Sequence, residues 1–294
     1  MDCPMPNTGI GESTDLECTA DRSLLDKLLA DSRLYKTTDS YKSLLSFIVR
    51  LRNVAPFNAM LLQLQKPGLT YVASAHDWQT RFDRRVKEDA RPLLILWPFG
   101  PIATVYDILD TYDPLNPEFE GLPENIAAFF AAGEITKVRL QSFGALLQRK
   151  SIEVRWVDQG DASAGAIRVV SRTNDGKDAS YLLKLNQNHS PAVQFTTLAH
   201  ELGHLFLGHI GPNSRLSIPK RRSMSHADAE IEAESVAYLV CERNGVTTKS
   251  ETYLSHFVDA DVSADSLDLY QITRAAGQVE SALNLTMHTK FPRS

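Results

Sequence analysis

The sequence is poor in cysteine and has no long apolar run. Its three cysteines, Cys3, Cys18 and Cys241, form no C-x-x-C pair and no even set, which excludes a disulfide-stapled secreted scaffold and suits a reducing cytoplasm. No apolar run approaches the roughly 20 residues that a membrane-spanning helix needs. Residues 1–19 also lack the basic start and apolar segment of a secretory signal. We therefore expect a cytoplasmic protein with no membrane partner.

Basic residues are fewer than acidic ones, 31 Lys/Arg against 36 Asp/Glu, so the net charge is −5. Residues 19–110 nevertheless carry 13 Lys/Arg against 10 Asp/Glu, and this mildly basic region is a weak sign of an anionic partner. The length of 294 residues allows one large or two ordinary domains, and 43% hydrophobic residues are enough for a core. We expect a flexible tail at 1–19, domains at 20–112 and 124–294, and a Pro-rich acidic linker at 113–123.

Hydrophobic periodicity predicts helices and strands in both halves of the chain. The predicted helices cover 21–35, 40–52, 56–65, 77–82, 124–132 and 136–150. The predicted strands cover 71–73, 93–98, 102–108, 152–157, 166–170 and 180–185, with a turn at 174–176. The strands at 93–98 and 102–108 are expected to form a hairpin.

Residues 200–204 spell H-E-x-x-H. Residues four apart lie on one face of a helix, so His200 and His204 can bind one metal ion, with Glu201 beside them as the general base of a zinc metalloprotease. Two histidines alone would be explained equally well by a surface pair. The glutamate at the required position favours the metal site.

The residues around this motif predict where its helix begins and ends. We expect Thr196 or Thr197 to open the helix and Gly208 to end it. Gly203 inside a helix costs about 1 kcal/mol relative to Ala. Its presence indicates that the helix leaves room there for a neighbouring element or for substrate.

A catalytic zinc ion usually has three protein ligands. His209 follows His204 too closely to share its helix face, and the metzincin spacing fails because residue 210 is not histidine. His226 remains open but has no supporting spacing. The better candidate is Glu230, which lies in a helix predicted at 229–240.

The predicted helix at 229–240 places two carboxylates on its apolar face. Glu230 and Glu234 are four residues apart and share that face with Ala233. Buried carboxylates are costly unless they are paired or bound to metal. We therefore assign Glu230 as the third ligand and Glu234 as the acceptor of a histidine N–H, and we expect Glu232 to face solvent. The alternative is a solvated acidic helix face, which is what a run of glutamates alone usually forms.

Residues 196–204 followed by 229–234 resemble the ImmA/IrrE-type metallopeptidases, and still more closely the ArdC-type antirestriction proteins. Residues 51–96 are similar to the ArdC N-terminal domain, and residues 253–276 to its closing helices. The resemblance implies an α+β protein, with an α/β N-terminal domain that binds single-stranded DNA and a C-terminal zincin-like metallopeptidase domain. It implies Zn²⁺ as cofactor and a protein or peptide as substrate.

A cluster of cations beside an aromatic residue marks the N-terminal region. Trp78, Arg81, Arg84, Arg85 and Lys87 lie within ten residues. Cations that neutralise phosphates and aromatic rings that stack on bases hold single strands without sequence preference. The alternative is an ordinary solvated turn with the tryptophan anchored in the core.

The leading hypothesis is a zinc-dependent endopeptidase. Glu201 would take a proton from the attacking water and return it to the leaving amine. The second donor to the oxyanion stays open among Tyr238, His226 and His209, and the last strand before the motif, 180–185, is expected to lie beside the cleft and hold an extended peptide. Two alternatives remain: a non-proteolytic DNA-binding antirestriction or regulatory protein with structural zinc, and a protease that cleaves one partner repressor.

Overall fold

The computed structural model describes residues 38–96, 102–115, 135–158, 164–173, 175, 177–247 and 267–285. Several predicted features fall wholly or largely outside these residues: the tail at 1–19, the helices at 21–35 and 124–132, the linker at 113–123, the turn at 174–176 and the start of the closing segment at 253–257.

Helices and strands are both present, so the predicted α+β class is confirmed. The helices are α1 (Thr38–Arg50), α2 (Pro56–Gln65), α3 (Ala75–Phe82), α4 (Lys137–Gln148), α5 (Pro191–Leu207), α6 (His226–Arg243) and α7 (Leu269–Ala282), with a 3-10 turn at Ile108–Asp110. The strands are β1 (Val72–Ala73), β2 (Arg85–Val86), β3 (Leu93–Leu96), β4 (Ile102–Asp107), β5 (Thr111–Tyr112), β6 (Ile152–Val157), β7 (Gly165–Arg172) and β8 (Ala179–Asn186).

The N-terminal part forms two small antiparallel sheets. One has the strand order β1-β4-β3, and β2 pairs with β5 in the other. The predicted hairpin is confirmed, because Leu93 lies opposite Val105 and Leu96 opposite Ile102 in the β3–β4 pair.

The C-terminal sheet has the order β6-β8-β7, with β6 parallel and β7 antiparallel to β8. The expectation that the last strand lies beside the cleft was wrong. β8 occupies the centre of the sheet, paired with β6 on one side and β7 on the other, and most of its residues are buried, as a central strand requires. β7 is the outer strand of the described sheet, and it is the strand whose backbone reaches Glu201 in α5.

Helix α5 begins earlier than predicted. Ser190 caps it by accepting a hydrogen bond from the Val193 backbone N–H, and Pro191 occupies the first turn. Thr196 and Thr197 lie inside the helix, where their hydroxyls donate to carbonyls four residues earlier. Gly208 ends the helix as predicted, with φ of 84°.

The N-terminal helices share a core with the C-terminal ones. α1 packs on α2 and α6, and α7 packs on α2, α5 and α6. Tyr41 in α1 donates to the hydroxyl of Ser235 in α6 at 2.6 Å, and both side chains are buried. In the described part of the chain, no helix has the length and apolar character needed to cross a membrane.

Candidate metal centre

His200, His204 and Glu230 meet where α6 crosses α5. The two imidazole Nε2 atoms lie 3.1 Å apart. The Glu230 carboxylate places Oε2 at 3.4 Å from His200 Nε2 and Oε1 at 3.3 Å from His204 Nε2. Among the described residues, this is the group of His, Cys, Asp and Glu side chains whose ligand atoms converge closely enough to hold a metal ion, all within 4.8 Å of one another.

The spacing of these atoms fits a zinc ion. A tetrahedral site with bonds of about 2.0–2.2 Å sets its ligand atoms about 3.3–3.6 Å apart. The three distances of 3.1, 3.3 and 3.4 Å are close to that value. Two imidazoles and one carboxylate are also the donor set of several catalytic zinc sites, which keep a fourth position open.

Glu234 lies behind His200. Its Oε2 is 3.0 Å from His200 Nδ1, on the side of the ring that faces away from His204 and Glu230. Burial opposes protonation of His200, but the hydrogen bonds to Glu230 and Glu234 outweigh it and raise the pKa of His200 to about 9. The carboxylate of Glu234 thereby fixes the orientation of the His200 ring with Nε2 pointing at the centre.

The pKa values of the other two residues of the centre are lowered. Burial and the neighbouring positive charge of His200 lower the pKa of His204. The hydrogen bond with His200 lowers the pKa of the Glu230 carboxyl despite its partial burial. These shifts together favour a proton on His200 over one on His204 or on Glu230.

Glu201 faces the outer strand of the sheet. Its Oε2 accepts a hydrogen bond of 2.9 Å from the backbone N–H of Ile167 in β7. Burial raises the pKa of the Glu201 carboxyl, and the nearby His200 charge and the Ile167 N–H only partly counter this effect. A half-buried carboxyl with a raised pKa is suited to accept and return a proton near neutral pH.

Glu232 does not face solvent, so that expectation was wrong. Its side chain is fully buried, and both oxygens accept from Arg221 Nη2, at 2.8 and 2.9 Å. Its Oε2 also lies 3.1 Å from His209 Nε2. No local pattern around Glu232 indicates this burial, because its partners His209 and Arg221 come from the helix end and the loop that precede α6.

The three open candidates for the oxyanion donor lie in different places. His209 sits behind His204, with its Nδ1 at 2.9 Å from His204 Nδ1. Tyr238 is buried in α6, two turns beyond Glu230. His226 has an 89% exposed side chain at the start of α6, with Nδ1 at 3.6 Å from Glu230 Oε1. Of the three, His226 is the one whose side chain is exposed.

The cationic cluster of the N-terminal region divides into buried and exposed members. Trp78 is fully buried, donates from Nε1 to the Tyr106 carbonyl and packs against Tyr71. Arg84 is 3% exposed and donates to the hydroxyl and carbonyl of Thr111. The predicted nucleic-acid contacts of Trp78 and Arg84 are therefore incompatible with this packing, since a buried indole cannot stack on a base.

The remaining cations of that cluster are at the surface. Arg81, Arg85 and Lys87 are exposed. Arg81 Nη1 is 3.6 Å from the Asp77 carboxylate, and Lys87 Nζ donates to the Leu109 carbonyl. Their role in binding nucleic acid stays a prediction.

Comparison with known proteins agrees with the predicted resemblance. Residues 151–240 match the model of the IrrE N-terminal-like domain of peptidase family M78, a span that contains β6 to β8, α5 and most of α6. No curated protein matches the chain. The Mn(II)-bound crystal structure of the antirestriction protein ArdC from plasmid R388 is 16% identical, with 90% of this chain and 96% of that chain covered and a TM-score of 0.37. For the metal-free ArdC structure the identity is 16%, the coverages are 79% and 83%, and the TM-score is 0.32.

Proposed function

We propose that this chain, which carries an IrrE N-terminal-like domain at residues 151–240, is a zinc-dependent endopeptidase. One observation carries the proposal. His200, His204 and Glu230 converge at ligand distances, and the Glu201 carboxylate lies between this centre and the outer strand β7. A structural zinc site would need neither a fourth open position nor a carboxylate of raised pKa beside it.

Each residue of the centre has a defined task. His200, His204 and Glu230 would hold Zn²⁺, which would supply Lewis acidity for a peptide carbonyl and for the attacking water. Glu201 accepts the proton of that water and delivers it to the leaving amine. Glu234 keeps His200 Nε2 directed at the centre through its bond to Nδ1.

Strand β7 supplies the place for an extended substrate. In an antiparallel pair, backbone groups point alternately towards and away from the partner strand. The N–H of Ile167 points to Glu201 rather than to β8, so this edge of β7 faces the catalytic carboxylate. A substrate segment added along this edge would place its backbone beside Glu201, which favours cleavage within an extended stretch of a protein chain.

The test is the Glu201→Gln variant, measured for zinc content and for cleavage of an unfolded protein substrate. We expect zinc content to stay near one per chain and cleavage to fall by about 10²–10⁴-fold, the usual contribution of a general base. The matched control is Glu88→Gln, which makes the same change at an exposed carboxylate in the N-terminal part of the protein. Unchanged cleavage by a zinc-loaded Glu201→Gln variant would exclude the general-base role.

A second candidate function rests on the exposed cations of the N-terminal region. Arg81, Arg85 and Lys87 are exposed, and exposed cations that neutralise phosphates are what a DNA-binding antirestriction or regulatory protein with a structural metal would require. In that case Glu201→Gln keeps the biological activity, whereas Arg85→Ala combined with Lys87→Ala removes it. The same pair of variants also separates this function from cleavage of a partner repressor, which requires Glu201.

A further inference from the structure

A chain of buried polar groups runs from the candidate metal centre to the loop before α6. His204 Nδ1 lies 2.9 Å from His209 Nδ1, and His209 Nε2 lies 3.1 Å from Glu232 Oε2. Glu232 is fully buried and accepts two hydrogen bonds from Arg221. Its Oε1 also accepts from the backbone N–H of Asp268, at the start of α7.

The direction of these hydrogen bonds is fixed by the groups at the two ends. His204 Nε2 faces His200 and Glu230, so a ligand lone pair on Nε2 leaves the ring proton on Nδ1. His204 Nδ1–H then donates to His209 Nδ1, and His209 must carry its own proton on Nε2. That proton is donated to the carboxylate of Glu232, whose oxygens also accept from Arg221. A single arrangement of protons satisfies the whole chain.

We propose that His209 is a positioning residue that orients His204 as a metal ligand, and that the Glu232–Arg221 pair fixes His209 in the tautomer this requires. The two histidine ligands are thus oriented in different ways. His200 is held by the carboxylate of Glu234 directly, whereas His204 is held by a carboxylate acting through a second imidazole. Metal-ligating histidines usually donate their other ring N–H to such a partner.

The free-energy cost of burying the Glu232 carboxylate supports a role for this series of hydrogen-bonded groups. A carboxylate removed completely from water is expensive even when it is paired, and packed apolar residues of similar volume are often as stable. Glu232 nonetheless is fully buried in α6 and is held by groups from three segments: His209, Arg221 and Asp268. His209 is 6% exposed, which removes it from substrate and leaves His204 as its functional neighbour.

The inference rests on the metal centre of the proposed function, but not on proteolysis. It is tested with Zn²⁺ affinity, measured by competition with a chromophoric chelator, and with the visible spectrum of the Co²⁺-loaded protein. His209→Phe keeps the ring and removes both hydrogen bonds. His209→Gln keeps one acceptor and one donor.

We expect His209→Phe to weaken Zn²⁺ binding by about 10–100-fold and to change the Co²⁺ spectrum, and His209→Gln to restore most of the affinity. The control is His189→Phe, which replaces a half-buried histidine that takes no part in the hydrogen bonds from His204 to Glu232. This variant should bind Zn²⁺ like the wild type. Equal losses from His209→Phe and His209→Gln, or wild-type affinity in His209→Phe, would overturn the proposal.

A double-mutant cycle separates positioning from general support of the fold. Glu232→Gln alone should weaken Zn²⁺ binding. In the His209→Phe background the same change should weaken binding by less than about a further 2-fold, because Glu232 acts through His209. A double variant whose loss of affinity equals the product of the two single losses would show that Glu232 does not act through His209. A wild-type protein that binds Zn²⁺ but cleaves no protein would end the endopeptidase proposal alone, whereas one that binds no Zn²⁺ would end both.

Discussion

Gly203 lies directly beneath the backbone of Ala233, so that a Cβ on this glycine would be 3.2 Å from the Ala233 carbonyl oxygen. The same Cβ would lie 3.3 Å from the Val236 Cβ. The predicted need for room at Gly203 is therefore confirmed, and the neighbouring element is α6. Because Glu230 is one turn before Ala233 on α6, this close approach of the helices sets its distance to His200 and His204.

Enlarging residue 203 should push α6 away from α5. Overpacking of this kind costs about 1–3 kcal/mol, so we expect Gly203→Val to lower the free energy of unfolding and to weaken Zn²⁺ binding together. Gly277→Ala in α7 is the control, since its Cβ would make an ordinary contact at 3.6 Å with Pro56 and should gain about 1 kcal/mol of helix propensity. Denaturant unfolding and chelator competition measure the two effects. A Gly203→Val variant with wild-type zinc affinity would show that the helix spacing does not set the centre.

The glutamates of α6 should separate by role. Glu230→Gln removes a ligand, and we expect its loss of zinc affinity to exceed the about 10–100-fold typical of a residue that only orients a ligand. Glu234→Gln should fall within that range, because it touches His200 Nδ1 and not the metal position. Isothermal titration with Zn²⁺ against a competing chelator ranks the variants. A larger loss from Glu234→Gln than from Glu230→Gln would reverse the two assignments.

Zinc binding should release a proton at neutral pH. The pKa of His200 is raised to about 9 in the metal-free protein, from an ordinary value of 6.5, so zinc must displace the proton that His200 holds there. We expect release of about one proton per zinc at pH 7 and progressively less as the pH passes through about 9. Calorimetry in buffers of different ionisation enthalpy gives this number. Glu234→Gln is the control, since it removes a group that raises the His200 pKa and should reduce the release.

The same shift has a consequence for stability. A group whose pKa is raised on folding stabilises the native state by its full amount when the pH is below the pKa of the unfolded state, here 6.5. That contribution is lost as the pH rises through the pKa of the folded state, about 9. The metal-free protein should therefore lose stability between pH 7 and pH 10. A metal-free His200→Gln variant should show a smaller loss over the same range, and an equal loss would assign it to other groups.

The local part of the candidate centre could be predicted from the sequence. The i, i+4 spacing within α5 and within α6 places His204 relative to His200 and Glu234 relative to Glu230, whereas the approach of Glu230 to the two histidines depends on the packing of α6 on α5 at Gly203. The burial of Glu232 was not readable, because its partner Arg221 reaches it from a preceding loop. The four cations near Trp78 show the reverse error: a pattern typical of a surface includes Arg84, whose tertiary partner Thr111 is 27 residues away.

Arg243 joins the end of α6 to the N-terminal helices. It is 2% exposed, is paired with Glu280 at 2.8 Å, and donates to backbone carbonyls at the end of α1 and in the following turn, those of Ile48, Leu51, Arg52 and Val54. Removing one partner of a buried ion pair costs about 3–5 kcal/mol, so Arg243→Met should be strongly destabilised.

The double variant Arg243→Met with Glu280→Leu should recover only part of this loss, because the carbonyls after α1 stay unsatisfied. Arg215→Met, which breaks the surface pair with Asp178, should cost at most about 1 kcal/mol. Urea unfolding followed by tryptophan fluorescence and by far-ultraviolet circular dichroism tests this. A mild effect of Arg243→Met would show that α1 and α6 are not joined through this residue.

Any binding of single-stranded DNA by the N-terminal region should depend on Arg85 and Lys87 rather than on Arg84. Each phosphate contact on a single strand contributes a slope of about 0.7 to the dependence of log affinity on log salt. Arg85→Ala with Lys87→Ala should therefore reduce that slope by about 1.4 and leave the unfolding temperature unchanged, since both side chains are exposed.

Arg84→Ala should do the opposite. It removes the hydrogen bonds to Thr111 and should lower the unfolding temperature, but it should leave the salt dependence as it was, because a guanidinium that is 3% exposed cannot reach a phosphate. Fluorescence anisotropy of a labelled oligothymidylate at several salt concentrations, beside thermal unfolding, distinguishes the two variants. A reduced salt slope in a fully folded Arg84→Ala protein would mean that this side chain leaves its buried position when DNA binds.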